Sequence, residues 1–375
     1  MRFISTRPPF SEVSLRHAVL DDPAPNGALY QPIELPRLSI EELAGMDGPP
    51  FPKLAERLAL LLFASALGEG PVRRIARRAF DFPVPVVRLD PDTWILELFH
   101  GPTGSFKDFG ARFLAHLLSA LRGPEDKPVV ILVATSGDTG GAVAHAVHGL
   151  PGVRAVVLYP RDRLSPVQRR QIQEPATWAG QPGTQVIPVE VRGTFDDCQR
   201  MVKDVLARPG PTVEVALTSA NSVNVGRLLP QAFYYVHGWN SLPHEVREGV
   251  TVSVPSGNLG NLTAGLLAKE MGVPFGTFVA ASNANAAMSR FYETGQLAEG
   301  PSLQTVSNAM DVARPSNLER LLAVCDRDVS SLRGRVLATH HEDAEVLDAM
   351  THVHRTHGYF MDPHTAVGYL GLGAF

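Results

Sequence analysis

The chain has 375 residues, of which 44% are hydrophobic, enough for roughly two or three domains with substantial cores. Its net charge of −4 excludes a strong attraction to nucleic acid or to an anionic membrane. No stretch approaches the roughly 20 apolar residues of a transmembrane helix, and the first residues lack a long apolar signal segment. The chain has two cysteines, Cys198 and Cys325, far apart in sequence. Their small number suggests a reducing compartment, with a single disulfide as the alternative, so we expect a cytoplasmic protein.

Residues 1–85 differ in composition from the rest of the chain. They are rich in proline, and apolar spacing predicts one long helix at 53–67 and a short basic helix at 71–79. We therefore expect an N-terminal, mainly helical domain.

From residue 86 onward, strand-like and helix-like runs alternate. Short apolar runs predict strands at 94–98, 129–134, 153–159, 185–191, 213–218, 250–254 and 277–281. Apolar spacing and capping residues predict helices at 109–121, 141–148, from 165 onward, at 194–207, at 226–239 and up to 271. This alternation predicts an α/β fold with largely parallel sheets.

One lysine, Lys107, lies in the segment FHGPTGSFKDFG, residues 99–110. Its glycines and proline predict a tight loop that places Lys107 at the start of a helix, beside Phe106 and Phe109. The positive end of the helix dipole and poor solvation both disfavour an ammonium group there. A neutral amine is what condensation with an aldehyde requires. The alternative for a single lysine beside phenylalanine is an ordinary side chain with its charge in solvent.

Three loops add groups that bind anions. The loop PSGNLGN at 255–261 precedes a helix and matches neither G-x-G-x-x-G nor a P-loop, and its backbone N–H groups suit a phosphate. The loop ATSGDTGG at 134–141 combines hydroxyl groups with Asp138, and the polar loop at 218–224 precedes Arg227, whose guanidinium suits a second phosphate. Each loop alone also fits an ordinary turn or helix cap. Together with Lys107 they indicate an aldehyde that carries a phosphate, which is pyridoxal 5′-phosphate (PLP), and a phosphorylated substrate.

These motifs resemble those of threonine synthases, which are fold-type II PLP-dependent enzymes. The resemblance covers nearly the whole chain and is carried by FISTR at 3–7, GALYQP at 27–32, the Lys107 segment, SGDTG at 136–140, GNLGN at 257–261 and DPHTAVG at 362–368. It implies two parallel-sheet α/β domains with helices on both faces, after the N-terminal domain at 1–85. We expect a large PLP-binding domain at 86–125 and 245–375, and a small α/β domain at 126–244.

The resemblance also implies a role for each motif. Lys107 is implied as the catalytic residue, which forms the Schiff base with PLP and shuttles protons. Asp138 is placed near the phenolic oxygen of PLP, and Thr365 is placed at the ring nitrogen of PLP. The phosphate of PLP is assigned to Gly257, Asn258, Leu259, Gly260 and Asn261. The substrate phosphate is assigned to Ser136, Thr139, Asn221 and Arg227.

The implied reaction converts O-phospho-L-homoserine and water into L-threonine and phosphate. We expect a small-molecule substrate, no nucleic acid or membrane partner, and a monomer or homodimer. The nearest alternative is a PLP-dependent phospho-lyase that releases 2-oxobutanoate from the same substrate, followed by the serine and threonine dehydratases. The phosphate-binding candidates argue against the dehydratases, and Lys107 argues against a binding protein without catalytic activity.

A metal enzyme is a further alternative, because histidines crowd the C-terminal part of the chain: His340, His341, His352, His354, His357 and His364. No H-E-x-x-H pattern is present, and only His354 and His357 have a spacing that puts them on one helix face, so we expect no metal. The chain ends soon after Thr365, whereas the family usually continues. We therefore expect the C-terminal helix to lose support.

Overall fold

The computed structural model describes residues 1–22, 24, 27–123, 125–161, 163–178, 185–207, 214–298 and 300–373. The chain divides into two compact units. Unit 1 comprises Met1–Pro36, Pro49–Pro85 and Glu97–Tyr234, and unit 2 comprises Arg37–Gly48, Val86–Leu96 and Tyr235–Phe375. Residues 97–125, which we predicted in the large domain, therefore fall in unit 1. The predicted three-domain boundaries stay a prediction.

The N-terminal part of unit 1 combines helices with a small antiparallel sheet. The sheet has the strand order Glu12–Ser14, Arg2–Ser5, Tyr30–Pro32. The helices are Leu15–Leu20, Phe51–Leu67 and Glu69–Ala79. The two longer helices confirm the helical prediction, whereas the sheet was not predicted, because its strands have only three or four residues each.

A four-stranded parallel sheet organises the rest of unit 1. Its strands are, in spatial order, Val186–Val191, Val153–Pro160, Val129–Ala134 and Ala216–Ser219. Residue 213, where a strand was predicted to begin, lies outside the described residues. The associated helices are Lys107–Leu121, Asp138–Val147, Pro166–Gln173 and Phe195–Ala207, with a 3-10 turn at Glu174–Ala176. Because the central strands pair in parallel, the loops after Ala134 and Ser219 leave the sheet at the same edge.

The predicted helix at 226–239 is interrupted. The chain forms a short helix at Val225–Leu228, a 3-10 turn at Leu229–Gln231 and a second helix at Ala232–Ser241. Pro230 explains the interruption, because proline lacks the N–H group that a continuous helix needs and its ring clashes with the preceding turn.

Unit 2 contains a three-stranded parallel sheet with the order Val252–Pro255, Phe278–Asn283, Val336–His341. The predicted strand at 94–98 is found at Trp94–Leu96, but it pairs antiparallel with Val86–Arg88 in a separate two-stranded sheet. The α-helices are Ile40–Ala44, Gly260–Glu270, Ala287–Thr294, Leu318–Val324, Val329–Arg335, Asp343–His357 and Pro363–Leu372, and the 3-10 turns are His244–Val246 and Asn308–Met310. The predicted α/β class with largely parallel sheets is confirmed.

The helix Pro363–Leu372, which we expected to lack support, packs directly on the sheet of unit 2. Ala366 and Val367 have no exposed surface. A Cβ atom at Gly371 would lie 2.6 Å from Ser253 Oγ and 2.8 Å from Ala281 Cβ, so only glycine permits this approach. The expectation of lost support is therefore wrong. Among the residues described, none of the helices has the length and apolar character needed to cross a bilayer.

Candidate active site

The structure places Lys107 at the first position of the helix Lys107–Leu121. Its Nζ donates a hydrogen bond to Asp138 Oδ2 at 3.1 Å and lies 4.5 Å from the centre of the Phe106 ring. The side chains of Lys107 and Asp138 are 14% and 23% exposed. The Asp138 carboxylate therefore lies within hydrogen-bond distance of the lysine in the predicted motif. The amine is therefore held against a carboxylate and is not a freely solvated surface group.

The loop that carries Asp138 is held by a hydroxyl group. Thr135 Oγ1, on a residue that is 1% exposed, accepts hydrogen bonds from the N–H groups of Gly137 and Gly140, both at 2.9 Å. The N-cap of the helix Asp138–Val147 is Gly137, with no capping side chain. The alternative that this loop is an ordinary helix cap, with Asp138 or Thr139 as the capping side chain, is therefore wrong.

The second oxygen of Asp138 is bound by Gln168, which the sequence analysis missed. Gln168 Nε2 donates to Asp138 Oδ1 at 2.8 Å, and Gln168 Oε1 accepts from the backbone N–H of Ser165 at 3.1 Å. The amide group packs so closely on Gly137 that a Cβ atom there would lie 2.4 Å from it. Ser165 caps the helix Pro166–Gln173, as predicted. Lys107 and Gln168 thus fix the two oxygens of Asp138.

A buried carboxylate shapes the loop before Lys107. Asp108 has no exposed surface and accepts hydrogen bonds from the N–H of Thr103 at 2.8 Å and from its hydroxyl at 2.9 Å. Burial raises the pKa of Asp108, although these hydrogen bonds oppose the shift. Gln171 Nε2 donates to the carbonyl oxygen of Thr103 at 2.9 Å. The loop that presents Lys107 is therefore anchored on two sides.

Arg227 is the most informative of the substrate-phosphate candidates. Its side chain is only 4% exposed, it donates from Nη1 to the carbonyl oxygen of Ala220 at 2.6 Å, and it forms no ion pair with any described residue. Burial lowers the pKa of Arg227 to about 10. Gly110 lets the helix Lys107–Leu121 approach it, because a Cβ atom there would lie 2.5 Å from Arg227 Cγ. A buried guanidinium without a carboxylate partner is suited to bind an anion.

The other three substrate-phosphate candidates are Ser136, Thr139 and Asn221. Their side chains make no hydrogen bond within the part of the chain that the structure describes. Asn224, in the same loop as Asn221, instead has a structural role, because its Oδ1 accepts from the N–H of Gly226 at 3.0 Å.

In unit 2, the loop at 257–261 presents unpaired backbone donors. The N–H groups of Gly257, Asn258, Leu259 and Gly260 donate to no described residue, and the helix Gly260–Glu270 begins at this point. Leu259 adopts a left-handed conformation with φ of 61°, which turns the backbone before the helix. Unpaired amides at the positive end of a helix are a phosphate-binding arrangement, so the loop fits the phosphate of PLP.

Residues far along the sequence brace this loop. Asn258 Oδ1 accepts hydrogen bonds from the N–H of Ser316 at 3.2 Å and from its hydroxyl at 3.1 Å. Asn317 Nδ2 donates to the Asn258 carbonyl oxygen at 3.1 Å, and Asn317 Oδ1 accepts from Arg320, which has no exposed surface. Asn261 accepts from the Tyr235 hydroxyl, 2.8 Å from its Oδ1. The amide oxygens of both asparagines therefore bind protein groups, and no sequence motif indicates these partners.

Thr365 lies near the start of the helix Pro363–Leu372, which Asp362 caps. Asp362 Oδ1 accepts from the N–H of Thr365 at 2.8 Å, and Asp362 Oδ2 lies 2.7 Å from His364 Nδ1. Burial alone would raise the pKa of Asp362, but hydrogen bonds from His364 and Thr365 hold this pKa well below its usual range. The carboxylate is thus a fixed anchor for this turn.

The predicted residues fall into two groups. Unit 1 contains Lys107, Ser136, Asp138, Thr139, Asn221 and Arg227, and unit 2 contains 257–261 and Thr365. In the described residues, no group of three or more His, Cys, Asp or Glu side chains is arranged to hold a metal ion. Of the C-terminal histidines, His354 stacks on Phe360 with ring centres 3.9 Å apart.

Comparison with known proteins identifies the family. A family model described as pyridoxal-phosphate dependent enzyme matches residues 81–375, and one described as threonine synthase N terminus matches residues 2–80. Threonine synthase of Escherichia coli (strain K12) is 41% identical over 361 residues, which make up 96% of this chain and 82% of that protein.

Solved structures agree with this match. The crystal structure of Escherichia coli threonine synthase has a TM-score of 0.89 at 39% identity and covers 100% of this chain and 85% of that chain. The PLP-bound threonine synthase of Brucella melitensis has a TM-score of 0.88 at 30% identity, with 100% and 85% covered. The fold-type II architecture and the PLP cofactor predicted from the motifs are confirmed. The chain therefore belongs to the threonine synthase family of pyridoxal-phosphate-dependent enzymes.

Proposed function

We propose that this chain converts O-phospho-L-homoserine and water into L-threonine and inorganic phosphate, with Lys107 as its catalytic residue. The observation that carries the proposal is the 41% identity to a threonine synthase over 96% of the chain. The contact between Lys107 and Asp138 supports the residue assignment, because it holds the amine of the family motif at a helix start.

The residues present fit PLP. The unpaired amides of Gly257, Asn258, Leu259 and Gly260 would hold its phosphate, Thr365 would bind its ring nitrogen, and Lys107 would bond to its aldehyde carbon. When bound, PLP supplies an electron sink that stabilises the negative charge left after a proton is removed from the substrate. A hydroxyl group at the ring nitrogen does not force that nitrogen to be protonated, so the withdrawal of electrons is tempered.

Lys107 moves the protons. Once substrate has displaced it, its neutral amine removes the proton from Cα of the substrate. The amine gives up that proton before it removes one from Cβ, because an ammonium group cannot accept a second proton. Each proton resides on Nζ as an ammonium group, 3.1 Å from Asp138 Oδ2. Gln168 holds the other oxygen of Asp138, so the carboxylate stays directed at Lys107 while the charge on the amine changes.

The phosphate of the substrate leaves from Cγ, and negative charge grows on it as the bond breaks. Arg227 supports its binding, because its buried guanidinium has no carboxylate partner among the described residues and can donate to two phosphate oxygens. Ser136, Thr139 and Asn221 complete the proposed phosphate site, since their side chains have no other hydrogen-bond partner within the described chain. Water then adds at Cβ, with the departed phosphate as the base that takes the water proton. Lys107 returns one proton to Cγ, which becomes the methyl group of threonine, and one to Cα.

Product analysis tests the proposal. Purified protein with PLP and O-phospho-L-homoserine should release threonine and phosphate in equal amounts, and 2-oxobutanoate in place of threonine would establish the phospho-lyase alternative. Lys107→Ala should form no detectable threonine, because no other amine replaces the base. Lys203→Ala, which changes an exposed lysine on the helix Phe195–Ala207, is the matched control and should keep full activity. Retained threonine formation by Lys107→Ala would contradict the assignment.

Two further expectations are part of the proposal. We expect the protein in the cytoplasm, as a monomer or homodimer. Sedimentation of the purified protein decides the oligomeric state.

A further inference from the structure

His364 connects two segments of unit 2 that are distant in sequence. Its Nδ1 lies 2.7 Å from Asp362 Oδ2, and its Nε2 accepts a hydrogen bond from the backbone N–H of Ala309 at 3.2 Å. Since a backbone N–H can only donate, Nε2 must be unprotonated, and the single ring proton resides on Nδ1 and is donated to Asp362. The geometry thus assigns Nε2 as the acceptor from Ala309 and Nδ1 as the partner of Asp362.

The segment that His364 holds lies against the phosphate loop. Ala309 belongs to the 3-10 turn Asn308–Met310, and Gly257 packs on this turn: a Cβ atom at Gly257 would lie 3.0 Å from Met310 Cα and 3.5 Å from the Ala309 carbonyl oxygen. Met310 is 4% exposed and belongs to the same core cluster as Val367. The turn is therefore the surface on which the loop at 257–261 begins.

The other end of the connection is Thr365. Asp362 uses one oxygen for the N–H of Thr365 and the other for His364. Hydrogen bonds and packing therefore run without a break from Thr365 through Asp362 and His364 to Ala309 and the loop at Gly257. Every step lies within unit 2.

We propose that His364 is a positioning residue that sets the distance between the Thr365 hydroxyl and the phosphate-binding amides at 257–260. This inference rests on the proposed function, because it assumes that both ends bind one PLP molecule. A rigid connection keeps both contacts formed before PLP arrives, so that little ordering is needed on binding. His364 itself has no role in proton transfer in this account.

Two substitutions separate the two nitrogen atoms of His364. His364→Asn places an amide near the position of Nδ1 and removes the acceptor for Ala309, whereas His364→Gln places an amide oxygen near the position of Nε2 and restores that acceptor. His352→Asn is the matched control, because His352 is exposed on the helix Asp343–His357 of the same unit. Circular dichroism establishes that each variant is folded.

The first measurement is backbone hydrogen exchange, by mass spectrometry, of a peptide that contains residues 308–310 in the purified protein. The second is the dissociation constant of PLP, from absorbance titration after its removal by dialysis. Loss of one hydrogen bond should speed exchange and weaken PLP binding, each by about fivefold, in His364→Asn. His364→Gln should recover most of both values, and His352→Asn should match the unchanged protein.

Two results would overturn the proposal: unchanged exchange at 308–310 in His364→Asn, or faster exchange with unchanged PLP affinity, which would reduce His364 to a purely structural residue. If the unchanged protein binds no PLP, the proposed function itself fails. The exchange rates would still show whether His364 holds the turn.

Discussion

Replacing Asn317 by alanine tests whether the segment at 316–320 supports the phosphate loop. The substitution deletes the hydrogen bond from Asn317 Nδ2 to the Asn258 carbonyl oxygen and the hydrogen bond from the buried Arg320 guanidinium to Asn317 Oδ1. A neutral hydrogen bond contributes about 1 kcal/mol and one to a charged group about 2 kcal/mol. We therefore expect Asn317→Ala to lower the free energy of unfolding by about 3 kcal/mol.

The same substitution should cost less free energy in PLP binding than in folding. The backbone N–H of Asn317 still donates to the Asn258 carbonyl oxygen at 3.2 Å, so the loop keeps one of its two braces there. We expect the dissociation constant of PLP to rise about fivefold, which corresponds to one hydrogen bond. Guanidinium unfolding followed by circular dichroism and absorbance titration of PLP provide the two values.

Asn317→Asp distinguishes the two contacts. The carboxylate keeps an acceptor for Arg320, so most of the stability should return, but it offers no donor to Asn258, so PLP binding should stay weak. A stabilising role of Asn317 is excluded if Asn317→Ala unfolds with the same free energy as the unchanged protein. The contact with Arg320 is excluded as its source if Asn317→Asp loses as much stability as Asn317→Ala.

Three further predictions concern the remaining groups. Arg227→Lys keeps the charge but loses the planar pair of donors, so kcat/KM for O-phospho-L-homoserine should fall about 10- to 100-fold. The absorbance of bound PLP should not change, and an unaltered kcat/KM would exclude Arg227 from the phosphate site. Gln168→Met removes the donor to Asp138 and should lower kcat about fivefold. The amide of Gln173 donates to a tyrosine hydroxyl, so Gln173→Met is the control and should leave kcat unchanged. Equal effects of the two substitutions would argue against a role for Gln168. The lowered pKa of Asp362 means that its carboxylate stabilises the fold fully above about pH 4, the ordinary value for aspartate, and that this contribution is lost as the pH falls further. The unchanged protein should therefore have a larger free energy of unfolding than Asp362→Asn at neutral pH, and this difference should shrink on acidification. A difference that stays constant between about pH 3 and pH 7 would contradict the prediction.

Elements with strong local signals could be predicted from the sequence. The strand at 129–134 is found with those bounds, because a continuous apolar run is typical of a parallel strand buried on both faces. The helix after Ser165 begins as predicted, because serine as cap and proline at the first position is a local signal. Pro230 is itself a local signal for the break at Leu229–Gln231, whereas the apolar spacing alone predicts one continuous helix at 226–239.

The contacts that complete the candidate site could not be predicted. Gln168 lies 30 residues from Asp138, Asn317 lies 59 residues from Asn258, and Ala309 lies 55 residues from its acceptor. The direction of such side chains depends on how helices and loops pack in three dimensions, and no periodic pattern records it. Motif residues could be assigned because the motif names them, whereas Gln168, Asn317 and Ala309 lie outside every motif.

Lys107 is the amine that we expect to bond to PLP. Purified protein with PLP should show a visible absorption band that disappears on treatment with borohydride, and digestion should then place the stable pyridoxyl group on the peptide that contains Lys107. Recovery of that group on a different lysine, or no attached group at all, would contradict the account.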